Sequence, residues 1–325
     1  MFSLLATATE PNAFERWLET YKPIWPIPVL VIVLAAVWRM FRGTWRDLDQ
    51  ESHVERQKLL DAGKTDLRPF VALVMCAVIL TMQEYYGDRR FYTPHVLPIL
   101  EELDTGSFTM SFFRRAHVFH VPFAVKLAKY EELYTFVWWA GTRIFGYVLV
   151  PFSLWKVIFR SDSLLDMGLR AKGFFKHFWI YGLFLGVVLP AMYVVSKQSD
   201  FGAYYPFYKH ASRSWFDFLI WQAMYFAQFF ALEMFFRGFW VATLKRSFGS
   251  GAIFAMAVPY CMIHYGKPYL EVVGAIIAGI ALGSLSIRTK SIYQGFLVHV
   301  TVAGLMDWLA LSHRGQLPLV FWPPG

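Results

Sequence analysis

Charged residues are scarce. Asp, Glu, Lys and Arg make up 17% of the 325 residues, against about 25% in a soluble domain. That shortage excludes an ordinary water-soluble globule. Cysteine is scarcer: Cys76 and Cys261 are the only two, each inside an apolar segment. There is no CxxC, so a disulfide framework is excluded and both thiols read as small buried residues. Internal repeats and low-complexity tracts are lacking too. The first 24 residues have no basic stretch ahead of an apolar core and carry Glu10, Glu15 and Glu19. A cleaved signal peptide is therefore not expected.

What is present is apolar surface. The chain is 57% hydrophobic and 19% aromatic, with a mean hydropathy of +0.40. Its 32 Phe, 17 Tyr and 13 Trp suit a membrane protein, because Tyr and Trp gather at the lipid–water interface. The net charge of +8 is spread over the stretches between apolar segments. A nucleic-acid binder would gather it on one face, so nucleic acid is not an expected partner. Scattered basic charge suits anionic lipid headgroups instead.

A membrane span needs about 20 mostly apolar residues. Eight segments are candidates: Trp25–Phe41, Pro69–Tyr86, Leu133–Phe159, Phe178–Val195, Trp215–Leu244, Ala252–Tyr265, Leu270–Ile287 and Ile292–Leu311. The expected fold is all-α, a polytopic transmembrane helical bundle. Residues 1–159 form an N-terminal membrane region, 160–311 a core and 312–325 an irregular tail. Arg42–Arg68 carries mixed charge and reads as exposed. Ser107–Phe136 mixes Phe112, Phe113, Phe119 and Phe123 with Arg114, Arg115, Lys126 and Lys129, which predicts a helix lying in the interface plane, with a soluble cap as the alternative. Gly and Ala in the seventh segment (GAIIAGIALG) permit close helix approach and suit a central position. The short connections after the first, third, fifth and seventh segments hold more Lys and Arg, which places them on the cytoplasmic side.

Inside the fifth segment sit Glu233 and Arg237. A charge at the bilayer centre costs about 3 kcal/mol or more, so such residues face a partner or a wet cavity. Four residues apart, the two share a helix face and can pair. His264 and His299 follow in later apolar segments. Three strings hold these residues: Glu233-Met-Phe-Phe-Arg237-Gly238, Tyr260-Cys-Met-Ile-His264 and Gly295-Phe-Leu-Val-His299.

In this order, the strings resemble the CPBP intramembrane proteases, the CAAX-protease and bacteriocin-processing (Abi) family, which includes the type II CAAX prenyl endopeptidases. Glu233 and Phe236-Arg237-Gly238 match the second glutamate and the end of that family's Glu-Glu-x-x-x-Arg motif. Tyr260 and His264 match Phe-x-x-x-His, with Tyr in place of Phe. His299 matches the first residue of His-x-x-x-Asn/Asp. Leu165-Asp166-Met167-Gly168-Leu169 resembles the family's Asp-Leu-Gly-Leu stretch, and the likeness covers about residues 160–311. Two positions depart: Leu232 replaces the first glutamate and Ala303 the final Asn or Asp. Asp307 is a candidate substitute for the latter.

The resemblance implies an intramembrane endopeptidase of the bacterial inner-membrane type, acting on peptide or lipidated protein tails. A carboxylate in an apolar site can act as a general base. Glu233 would activate water, Arg237 would orient the Glu233 carboxylate, His264 would hold the water, and His299 would donate to the oxyanion. Were a divalent metal such as zinc used, Glu233, His264 and His299 would supply three ligands and leave a position for water. Simpler readings stand beside these: a structural ion pair at Glu233 and Arg237, an interfacial His264, and a core His299. Arg143, Glu84, Gln222, Gln228 and Gln294 read as packing or interface residues. His117 and His120 have metal-ligand spacing but read as interfacial histidines. Two other functions remain open: a non-catalytic membrane scaffold, favoured by Leu232 and Ala303, and a transporter, which would show pseudo-symmetric halves.

Overall fold

The computed structural model describes residues 13–21, 23–112, 115–120, 125–171, 174–197 and 199–324. Glu10, Phe113, Arg114 and Phe123 lie outside the described residues. So do the side chains of Glu15, Glu19, His117 and His120, and with them the metal spacing of that histidine pair.

The chain is a helical polytopic bundle, as its composition requires. After α1 (Ala13–Thr20), α2 (Pro26–Asp61) runs 36 residues, about 54 Å at 1.5 Å per residue. A hydrocarbon core is about 30 Å thick, so the charged second half of α2 leaves the membrane as the same helix. Then come α3 (Arg68–Tyr86) and two short helices, α4 (Arg89–His95) and α5 (Leu97–Asp104).

A hairpin follows where an interfacial helix is expected. Strands β1 (Ser107–Phe112) and β2 (Arg115–His120) pair antiparallel, Ser107 opposite His120 and Phe112 opposite Arg115. The string Ser-Phe-Thr-Met-Ser-Phe alternates with period 2, which is a strand signal. Its mixture of Phe and basic residues resembles an amphipathic helix only in composition.

Helix α6 (Leu127–Ile144) passes through a π turn, Phe145–Leu149, into α7 (Val150–Ile158). Next are α8 (Phe178–Val195) and the short α9 (Ser199–Tyr204). Helix α10 (Trp215–Glu233) passes through a second π turn, Met234–Trp240, into α11 (Val241–Phe248). The last three are α12 (Gly251–Met262), α13 (Tyr269–Thr289) and α14 (Tyr293–His313).

Among the described residues, six helices are long and apolar enough to cross a membrane: α2, α3, α8, α10–α11 taken together, α13 and α14. The other two expected segments are helical but do not reach that standard. Leu127–Ile158 carries the π turn, and α12 has 12 residues. In the apolar window of α10–α11 61% of residues are buried, against 39% in α13 and 11% in α2 and α8. The centre is therefore α10–α11 rather than the Gly-rich α13. Two glycines of α13 face α12: a Cβ on Gly279 would sit 3.2 Å from Ala257, and one on Gly283 2.9 Å from Met256.

The connections sort to two ends. At one, Arg68 pairs with Asp162 at 2.9 Å, Ser247 bonds Asp66 at 3.2 Å and the Ser250 amide donates to Asp49 at 2.7 Å. At the other, Tyr205 donates to Glu271, which Lys267 pairs at 2.6 Å, and Arg213 reaches the Lys129 carbonyl at 2.9 Å. The connections after the first, third and fifth expected segments thus share an end, as alternate crossing requires.

Candidate functional site

The site is built around the α10–α11 junction. A π turn closes i→i+5 hydrogen bonds, so it takes up more residues per turn than an α turn, and it marks functional sites in many helices. Here it begins immediately after Glu233 and contains Phe236-Arg237-Gly238. Glu233 has no exposed surface and Arg237 is 2% exposed. Their ion pair is 3.1 Å between Arg237 Nη1 and Glu233 Oε1. It lacks hydrogen-bond alignment: Arg237 Nη1 and Nε are buried without hydrogen-bond partners, and Nη2 reaches the Ala278 carbonyl at 3.5 Å. The guanidinium instead lies over the Tyr260 ring, 3.8 Å from its centroid, a cation–π contact strengthened by exclusion of water.

Glu233 Oε1 also meets His299 Nδ1 at 2.8 Å, and His299 Nε2 meets the Tyr260 hydroxyl at 2.8 Å. An ionised carboxylate only accepts, so the ring proton sits on Nδ1 and Nε2 accepts from the phenol. Phe229 stacks on the imidazole, 4.9 Å between centroids and 19° between planes. The result is a carboxylate–imidazole–phenol chain crossing from α10 through α14 to α12. His264 lies in the turn after α12, its Nδ1 2.7 Å from the Tyr260 carbonyl and its ring 4.8 Å from the Tyr260 ring.

Close packing holds the chain of groups in place. A Cβ on Gly295 would sit 2.5 Å from Glu233 Oε2, and one on Gly238 would sit 2.7 Å from the Met167 carbonyl. Gly168 has φ +86°, and its carbonyl accepts from the Ile292 amide at 3.0 Å. The Asp-Met-Gly-Leu stretch is thus wedged between the π turn and the start of α14.

Arg237, His264 and His299 lie on or against Tyr260, and Glu233 reaches it through Arg237 and His299. Sequence reading missed the Tyr260 phenol, which it used only as a stand-in for Phe. Its signal was available, because a buried tyrosine hydroxyl needs a partner. Asp307 does not reach this site. It accepts from Trp221 Nε1 and Gln222 Nε2, both at 2.7 Å, near the start of α10. Leu232 and Ala303 belong to apolar clusters: Leu232 to one with Ile79, Tyr147 and Phe235, and Ala303 to one with Trp221 and Tyr225.

A metal held by Glu233, His264 and His299 needs three donors aimed at one point. The arrangement does not provide them. Among the described residues no group of three or more His, Cys, Asp or Glu could hold an ion. His299 has both nitrogens engaged by Glu233 and Tyr260.

Fold and site together define a polytopic membrane protein with a buried, charge-paired Glu–Arg–His–Tyr centre. Residues 213–305 match the family described as Rce1-like, type II CAAX prenyl endopeptidase Rce1-like. No curated protein and no solved structure matches the chain.

Proposed function

We propose that the chain is an intramembrane endopeptidase that hydrolyses a peptide bond in membrane-associated or lipidated protein tails. The observation that carries this reading is the continuous chain Glu233–His299–Tyr260, drawn from the three segments that hold the family's motifs. Among the described residues Glu233 Oε2 has no hydrogen-bond partner, and it is the atom assigned to take a proton from water. The water oxygen then bonds the scissile carbonyl carbon. When the C–N bond breaks, its electron pair goes to the amine nitrogen, which takes the proton held by Glu233, so no net proton is gained or lost. His299, held through Nε2 by the Tyr260 hydroxyl, donates from Nδ1 to Glu233 Oε1 and keeps the carboxylate oriented. Arg237 holds Glu233 in place by charge. His264, fixed through Nδ1 on the Tyr260 carbonyl, is assigned to orient the water. His299 has 13% of its side chain accessible against 0% for Glu233, so the substrate approaches along the His299 edge.

A second reading is a non-catalytic scaffold. It is favoured by the full enclosure of Glu233 and Arg237, which a structural ion pair would share. Cleavage of a panel of membrane-embedded and lipidated peptides in proteoliposomes, followed by mass spectrometry, separates the two. Wild type is expected to cleave and Glu233→Gln to be inactive. Tyr260→Phe keeps the ion pair and removes one hydrogen bond worth about 1 kcal/mol, so kcat should fall about tenfold or less with KM unchanged. Cleavage that survives Glu233→Gln would sink the site assignment. A folded wild type that cleaves nothing in the panel would favour the scaffold.

A further inference from the structure

Away from this centre, the outer end of α2 borders a cleft of about 820 Å³ lined by Trp38, Arg42, Trp45, Arg46, Asp49 and His53, with Ser250 across from them. Positions 38, 42, 46, 50 and 53 fall at helical spacings of 4, 4, 4 and 3, so they form one continuous face of α2. From Pro26 to Arg42 the helix rises about 24 Å, most of a hydrocarbon core of about 30 Å. The cleft therefore opens at headgroup level, with the exposed Trp38 on its membrane side.

Its charges are unbalanced. Arg42 and Arg46 are exposed, and neither makes a hydrogen bond or ion pair among the described residues; Arg42 lies 5.7 Å over the Trp38 ring. The acid in the cleft is already engaged. Asp49 accepts from the Ser250 amide at 2.7 Å and from its hydroxyl at 3.1 Å, capping the start of α12. The floor is fixed as well, because Trp45 Nε1 donates to Ser284 at 2.9 Å and its ring meets Phe254 edge-on at 5.2 Å. Two free guanidiniums at i and i+4 form a fork for phosphate oxygens. The aromatic flank at Trp38 gives the first methylenes of an acyl chain an apolar wall.

We infer that this cleft is a binding site for the headgroup of an anionic phospholipid, which bridges α2 to the start of α12. The site is independent of the peptidase reading and of its residues.

The test is thermal stability and lipid retention of the full chain in detergent micelles, by native mass spectrometry, with added dioleoyl-phosphatidylglycerol or dioleoyl-phosphatidylcholine. Phosphatidylglycerol is expected to be retained and to raise the melting temperature, and phosphatidylcholine is not. In Arg42→Gln/Arg46→Gln retention should fall about thirty-fold, from about 1 kcal/mol per basic residue near a headgroup. Arg89→Gln/Arg90→Gln, at the opposite end of α3, should leave it unchanged. Should the double variant not fold, Arg46→Gln alone carries the comparison. Equal retention of the two lipids, or retention indifferent to Arg42 and Arg46, would overturn the proposal. Equal protection by glycerol 3-phosphate would overturn the lipid assignment in favour of a free-phosphate site.

Discussion

Two carboxylates, Glu233 and Asp307, are both fully buried and lie on helices that pack together, yet they are satisfied differently. Glu233 faces two groups that carry or can carry positive charge, Arg237 and His299. Asp307 faces two neutral donors, Trp221 and Gln222. Each keeps one oxygen without a hydrogen-bond partner. Neutral N–H donors can stabilise a buried acid but cannot take up a proton. The His299–Tyr260 pair can, because imidazole and phenol both exchange protons. The proposed chemistry therefore falls on the first carboxylate, and only Glu233 has a position within the resembled motifs.

The largest expected effect breaks that comparison. Glu233→Gln leaves the Arg237 guanidinium buried without a counter-charge, which costs about 3–5 kcal/mol. Asp307→Asn removes no charge partner; its amide oxygen accepts both bonds now made to Oδ2, and the NH2 buried without a partner at the Oδ1 position costs about 1–3 kcal/mol. Denaturant unfolding in micelles should rank them in that order, with cleavage lost only in the first. Replacing both Glu233 and Arg237 by Leu should recover most of the stability, since apolar residues often replace a buried pair without loss, but none of the activity. Equal destabilisation by Glu233→Gln and Asp307→Asn would mean that the Arg237 contact is not a functioning ion pair.

A smaller effect sharpens the same point from the backbone side. Gly295→Ala adds a methyl 2.5 Å from Glu233 Oε2. Overpacking of this kind costs about 1–3 kcal/mol. It also pushes the proposed base away from His299, so cleavage should fall further than stability alone explains. Gly304→Ala, in α14 beside Phe226 at 3.3 Å, serves as the control: a milder crowding of the same helix with activity retained. If the two variants lose activity alike, Oε2 has no special role.

Much of this was legible in the chain. Scarce charge and long apolar runs define the membrane bundle, because hydrocarbon admits few alternatives. Glu233 and Arg237 stood out because burial makes ions conspicuous, and their spacing gave the pair. The hairpin Ser107–His120 was not read, since its composition suggested an amphipathic helix while its period-2 pattern suggested strands. The π turn after Glu233 was also invisible: nothing in Met-Phe-Phe-Arg-Gly-Phe-Trp announces i→i+5 bonding, and its contacts with Met167 and Tyr147 are far off in sequence. The partners of Tyr260 and Asp307 depend on how α10, α12 and α14 meet. Pairings between residues 39 and 86 positions apart leave no local trace.

The smallest effect comes from a third carboxylate, outside the membrane. Asp162 accepts from Arg68 Nη2 at 2.9 Å and Nε at 3.0 Å, and from Trp155 Nε1 at 3.2 Å. The Arg68 hydrogen bond, with its charge, holds the Asp162 carboxyl below the usual aspartate range, against a partial burial that acts the other way. A carboxyl depressed in the folded state contributes stability above its unfolded pKa, near 3.9, and loses it as pH falls through the folded value. The melting temperature of the wild type should therefore drop more steeply below about pH 4 than that of Asp162→Asn, with the two curves converging in acid. The difference at neutral pH should be small, because the pair is partly open to water and solvent screens it. Parallel curves across the whole range would show that Arg68 ties α3 to the end of α7 by geometry rather than by charge. In that event the contrast between charge-paired Glu233 and neutrally paired Asp307 would be confined to the buried centre of the bundle.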